Sequence, residues 1–223
     1  MKKTSAIFIC LVCCLSAIAA DRTYIREQIQ KQDNCRNVAI TKYGAQLMLY
    51  GRNGWAGVGL PQDLGNALSE LNDQNVYIDD VQITESGSWL ILYGNNGFRW
   101  SGIPYSLENK IREWNTSEEV IYSVTFNDAG QWIAICENYY VASESWIQEW
   151  LKAGIEKYGM LWCACITDDA MVAVYAKGFK TYGNVPQSLW KALDEETRDV
   201  FRLKIAGTAW FYADINGSYR YYM

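Results

Sequence analysis

Apolar positions along this chain come in short alternating bursts, and the bursts recur. Val38/Ile40, Val81/Ile83, Val124/Phe126, Cys163/Cys165 and Phe201/Leu203 each place two apolar side chains two residues apart, the spacing that puts both on one face of a strand. A turn residue follows each pair, Gly44, Gly87, Gly130, Asp169 and Gly207, at intervals of 43, 43, 39 and 38 residues. Next comes a continuous apolar run, at residues 47–50, 90–93, 133–136, 172–175 and 210–212, which predicts a central strand covered on both faces. Gly/Asn-rich connections at 51–54, 94–97, 177–178 and 216–217 supply the positive φ angles of tight hairpins. A third strand follows each of them.

Between the third strand and the next copy the period changes to that of a helix. Leu64/Leu68/Leu71, Leu107/Ile111/Trp114, Trp146/Trp150 and Leu189/Leu193 form apolar stripes. Asp63, Ser106, Ser145 and Ser188 stand just before those stripes and are expected to cap the helices. The only three prolines, Pro61, Pro104 and Pro186, each lie two residues ahead of such a position. The unit is therefore three strands and a helix, in copies spanning roughly 21–58, 59–101, 102–142, 143–183 and 184–223. The last copy ends in strands, whereas residues 23–30 read as a helix ahead of the first strand. This arrangement predicts an α/β repeat toroid, a closed propeller-like ring of five small antiparallel sheets whose N-terminal helix completes the last unit. An open repeat array, which needs polar capping units, is the alternative. In repeat number and element order the chain resembles the alpha/beta propeller of the pentein family.

Residues 1–20 stand apart. Lys2-Lys3, an apolar run over 6–15 and small residues at 17, 19 and 20 read as a signal peptide too short to span a bilayer. The expectation is one exported domain over 21–223, secreted or periplasmic, with no membrane span. That segment carries 18 basic and 25 acidic residues and no cluster of Lys or Arg, which argues against nucleic acid as a partner.

The 223 residues include no histidine. Ser-His-Asp and Cys-His nucleophiles and His-based zinc sites are thereby excluded, and the catalytic chemistry of the penteins, which uses Cys with His and carboxylates, does not carry over. A carboxylate pair of the glycosidase type remains, with Glu85, Asp128, Asp168, Asp169 and Asp214 as candidates. Their repeated place beside turn residues favours a turn role. Cys35, Cys136, Cys163 and Cys165 replace core residues of other copies and read as buried filler. No cofactor or metal is implied.

Aromatic residues accumulate on the third strands, with a basic residue beside them. Trp55, Trp100 and Tyr182, together with Arg99, Lys180 and Arg220, are the candidate ligand-binding residues, because flat rings stack on sugar faces and anchor protein interfaces. The expected function is an exported, non-catalytic binding or scaffold protein whose partner is a glycan or another exported protein. Two alternatives stand beside it: a carboxylate-dependent glycoside hydrolase-like enzyme, and a structural or inhibitory partner of an exported protein.

Overall fold

The computed structural model describes residues 21–32 and 34–223; the expected signal peptide lies outside them. Five units follow one another. The first has α1 (Thr23–Lys31), β1 (Cys35–Ile40), β2 (Gln46–Tyr50) and β3 (Gly54–Val58). The second has α2 (Gln62–Asp73), β4 (Ile78–Ile83), β5 (Trp89–Tyr93) and β6 (Gly97–Ser101). The third has α3 (Tyr105–Thr116), β7 (Ile121–Phe126), β8 (Trp132–Cys136) and β9 (Tyr140–Ala142). The fourth has α4 (Ser145–Tyr158), β10 (Leu161–Ile166), β11 (Ala170–Tyr175) and β12 (Gly178–Gly183). The fifth has α5 (Gln187–Asp194), β13 (Val200–Ala206), β14 (Ala209–Asp214) and β15 (Tyr219–Tyr222). Each unit's strands form a separate three-stranded antiparallel sheet with the second strand in the middle.

The apolar central strands have a simple cause. Each helix packs between two successive sheets, so alternate residues of a central strand serve different helices. On β5, Leu90 and Leu92 join Leu107 and Ile111 of α3, while Trp89 and Ile91 join Leu64, Leu68 and Leu71 of α2. The same rule places α1 between the last sheet and the first, where Ile25 and Ile29 pack with Val38, Met48, Phe211 and Ala213.

The helix starts differ from expectation. Pro61, Pro104 and Pro186 are themselves the capping residues, and no helix has a side-chain cap bond. With φ near −55° and extended ψ, proline turns the chain into the helix and has no amide to satisfy. Asp63, Ser106 and Ser188 thus fall inside the first turn, and Ser145 opens α4. Two of them are tied to strands instead: Ser106 Oγ and Ser188 Oγ accept the indole N–H of Trp132 and Trp210 at 2.9 Å.

The first strands meet one another. β1 touches β4 and β13, β10 touches β7 and β13, and β4 touches β7. Between them Lys204 Nζ of β13 reaches Asp80 Oδ1 of β4 at 2.6 Å, both side chains almost fully buried. Asn37 Nδ2 of β1 donates to the same carboxylate at 2.8 Å, and Lys204 also donates to the Val81 carbonyl. Every first strand carries a register shift at its second residue, so Arg36, Asp79, Tyr122, Trp162 and Phe201 stand at equivalent bulges.

Candidate functional site

Strand alternation divides the third-strand candidates between two faces. On β6, Phe98 and Trp100 point to the following helix, where their rings stack at 4.7 Å and the Arg112 guanidinium of α3 lies over both. Arg99 between them points the other way, to Glu70 of α2, at 2.6 Å. Trp55 packs on the cluster under α2. Arg220 is exposed opposite Tyr212 on β14. Trp55 has no basic neighbour on its strand, and in the second and fifth sheets the aromatic residue and the base one place away occupy opposite sides of the strand, so they do not share a pocket.

The fourth unit is different. Tyr182 and Lys180, two residues apart, lie on the same face of β12, the face toward α4. Tyr182 is 57% exposed and meets Trp146, itself 41% exposed, with ring centroids 5.3 Å apart and planes tilted by 47°. One helical turn along α4, Lys180 Nζ sits 4.7 Å above the Trp150 ring and donates to the Trp150 carbonyl at 2.6 Å. The result is a surface strip of three rings with an ammonium at one end. Burial pulls the Lys180 ammonium below its ordinary value. Unlike Arg99, it has no carboxylate partner among the described residues.

Trp146 departs from the repeat. Its counterparts one residue before the first buried helical residue are Tyr24, Asp63, Ser106 and Ser188. Ser106 and Ser188 hold a strand indole, but the fourth unit has Met171 where the third has Trp132, so no indole needs holding. A helix position thereby freed from structural duty bears a large exposed ring. The sequence counted Trp146 and Trp150 as one apolar helix stripe; only their partners across the helix–strand gap show that Trp146 lies outside the core.

The carboxylates named as catalytic candidates serve turns. Glu85 accepts the amides of Lys42 and Tyr43, Asp128 that of Ser86, and Asp168 that of Asp128, each joining one unit's turn to the next. Asp169 takes Lys42 Nζ at 2.8 Å, and Asp214 accepts the amides of Asn216 and Ser218. Burial alone raises the Asp128 and Asp169 carboxyls, yet their hydrogen bonds to Ser86 and to Lys42 bring both below the ordinary value. Cys35, Cys136, Cys163 and Cys165 are buried, and none forms a disulfide among the described residues. Burial pushes Cys35 and Cys163 up to about 12 and Cys165 to about 11, so they carry no thiolate near neutral pH. No helix of the described residues is long and apolar enough to cross a membrane.

Comparison with known proteins finds no matching family model, no matching curated protein and no matching solved structure. The likeness to the penteins is thus one of repeat number and element order.

Proposed function

We propose that this chain is an exported, non-catalytic glycan-binding protein, and that its strip of Trp146, Tyr182, Trp150 and Lys180 is the contact surface. One observation carries the reading: Trp146 and Tyr182 stand exposed with their rings tilted against each other, Trp146 at a helix position where the third and fifth units place a serine that holds a strand indole. Two large rings left in water forgo their burial free energy, and a sugar ring recovers it by laying its C–H face on them. Lys180 then offers donors to the hydroxyls beside that face. A protein partner fits less well, because a stable interface covers about 800 Å² on each side, far more than these rings present.

The ring belongs to the same proposal. The contacts of β1 with β13, and the cluster joining α1 to the first and last sheets, support five units closing on one another. Closure makes α4 and β12 a rigid mount, so the rings are ordered before a ligand arrives.

The test is a glycan array probed with the protein and with two variants. Trp146→Ser copies the residue at the equivalent positions of the third and fifth units and so suits the fold, and Tyr182→Ala removes the second ring. Binding by the parent and loss of at least tenfold in both variants is expected, whereas a Trp100→Phe control binds normally. Retained binding in both variants refutes the strip, and no binding by the parent refutes the function.

A further inference from the structure

On the hairpin side of the second and third units lies a cleft of about 950 Å³. Its walls are the hairpin 94–97, the end of α3 with Asn115 and Glu118, the start of β7 with Tyr122, and Asp79 and Arg202 from neighbouring first strands. The strip lies at the other ends of its strand and helix, where β12 finishes and α4 begins. The cleft is therefore a separate place on the molecule.

Three features separate this cleft from an ordinary surface hollow. Asp79 and Tyr122 are bulge residues, the extra residues that the register shifts of β4 and β7 turn out of the ladder, and bulges re-aim side chains next to functional sites. Glu118 and Asn96 hold φ of 60° and 63°, two of the three non-glycine residues in the left-handed region among the described residues. That conformation suits Asn but strains a Glu. Finally, the side chains of the wall make no hydrogen bond to one another, although the Arg202 charge acts on Asp79. The side chains of Asp79, Asn95, Asn115 and Glu118 and the Tyr122 hydroxyl make no hydrogen bond among the described residues. Arg202 donates only to the carbonyls of Tyr122 and Phe201.

We infer that this cleft is a second carbohydrate site, which takes the hydroxyl edge of a neutral oligosaccharide. Vicinal hydroxyls donate and accept at once. They match a wall that offers carboxylate and amide acceptors, amide and guanidinium donors, and the tyrosine rings of residues 93 and 122. Two carboxylates against one guanidinium repel a strongly anionic ligand such as a phosphate. The inference rests on the glycan reading of the strip but not on the strip itself, and it makes the protein bivalent.

Calorimetric titration with a panel of neutral probes, cellohexaose, chitohexaose, maltohexaose, mannohexaose and xylohexaose, tests it. The Trp146→Ser/Tyr182→Ala double variant isolates the cleft, and we expect it to bind at least one probe. Adding Glu118→Gln and Arg202→Met to that background is expected to weaken the remaining binding at least tenfold. Asp79→Asn, nearly isosteric, gives a second reading should those changes disturb folding, which the unfolding transition reports. No heat from the strip-free variant with any probe overturns the inference and leaves the strip standing. Binding that survives every cleft substitution also overturns it. Binding in the parent that only cleft substitutions abolish supports it and refutes the strip.

Discussion

Lys204→Met is the substitution most revealing of how the first strands hold together. Lys204 and Asp80 sit on different units with their charged atoms 2.6 Å apart, and their side chains are 5% and 3% exposed. Removing the ammonium leaves a carboxylate in the interior with Asn37 Nδ2 at 2.8 Å and Gln82 Nε2 at 3.3 Å as its remaining donors. Breaking one side of a buried pair costs about 3–5 kcal/mol, and the two surviving donors place this case near the lower figure, about 3 kcal/mol. For a chain of this size that corresponds to a fall in Tm of about 6–12 °C. The double change Asp80→Asn/Lys204→Met discards both charges and keeps an acceptor for Asn37, so it is expected to recover most of the loss. Urea denaturation of the four proteins of the cycle measures the coupling. A single variant costing under about 1 kcal/mol, or a double variant no better than the single, refutes the reasoning and shows that water or another cation reaches Asp80.

Three further outcomes are expected. Ser106→Ala strands the buried indole N–H of Trp132 and is expected to destabilise by about 1–3 kcal/mol in chemical denaturation, while Ser106→Thr, which restores an acceptor, loses less. Burial, opposed by Arg202, pushes the Asp79 carboxyl up to about 6, above its unfolded value near 3.9, so the native state binds the proton more tightly. The contribution of Asp79 to stability is then fully present below about pH 4 and is lost as pH rises through about 6. Asp79→Asn flattens that fall, by roughly 1 kcal/mol after allowing for solvent screening at its half-exposed edge, in Tm measured from pH 4 to 8. Closure of the ring predicts an energetic coupling of at least about 0.5 kcal/mol between Ile25→Val and Phe211→Leu, which lie at opposite ends of the chain but in one buried cluster; strict additivity speaks against closure.

The sequence by itself determined the unit and its number. Five periods of alternation, apolar run and helical stripe were enough, because side chains that recur at strand and helix spacing must be buried the same way each time. The turns at Gly44, Gly87, Gly130 and Gly207 were legible for a local reason, since each adopts the positive φ that glycine allows. The helix caps were misread from nearby residues. Asp63 and Ser106 have the chemistry of a cap, but proline two places earlier takes the position and frees them for other bonds.

Function was less legible, because it depends on which side of a strand a residue faces and on what lies across the gap. Trp100 with Arg99 and Tyr182 with Lys180 look alike along the chain. A spacing of one residue sends the first pair to opposite faces, and a spacing of two leaves the second pair together beside Trp146 and Trp150. Nothing in the sequence brings Lys204 to Asp80, 124 positions apart, or Asp79, Tyr122 and Arg202 to one cleft. Those meetings are made by packing sheet against sheet, an arrangement whose partners are distant along the chain. Local pattern specifies the strands and helices, and only the tertiary contacts between units decide which side chains converge.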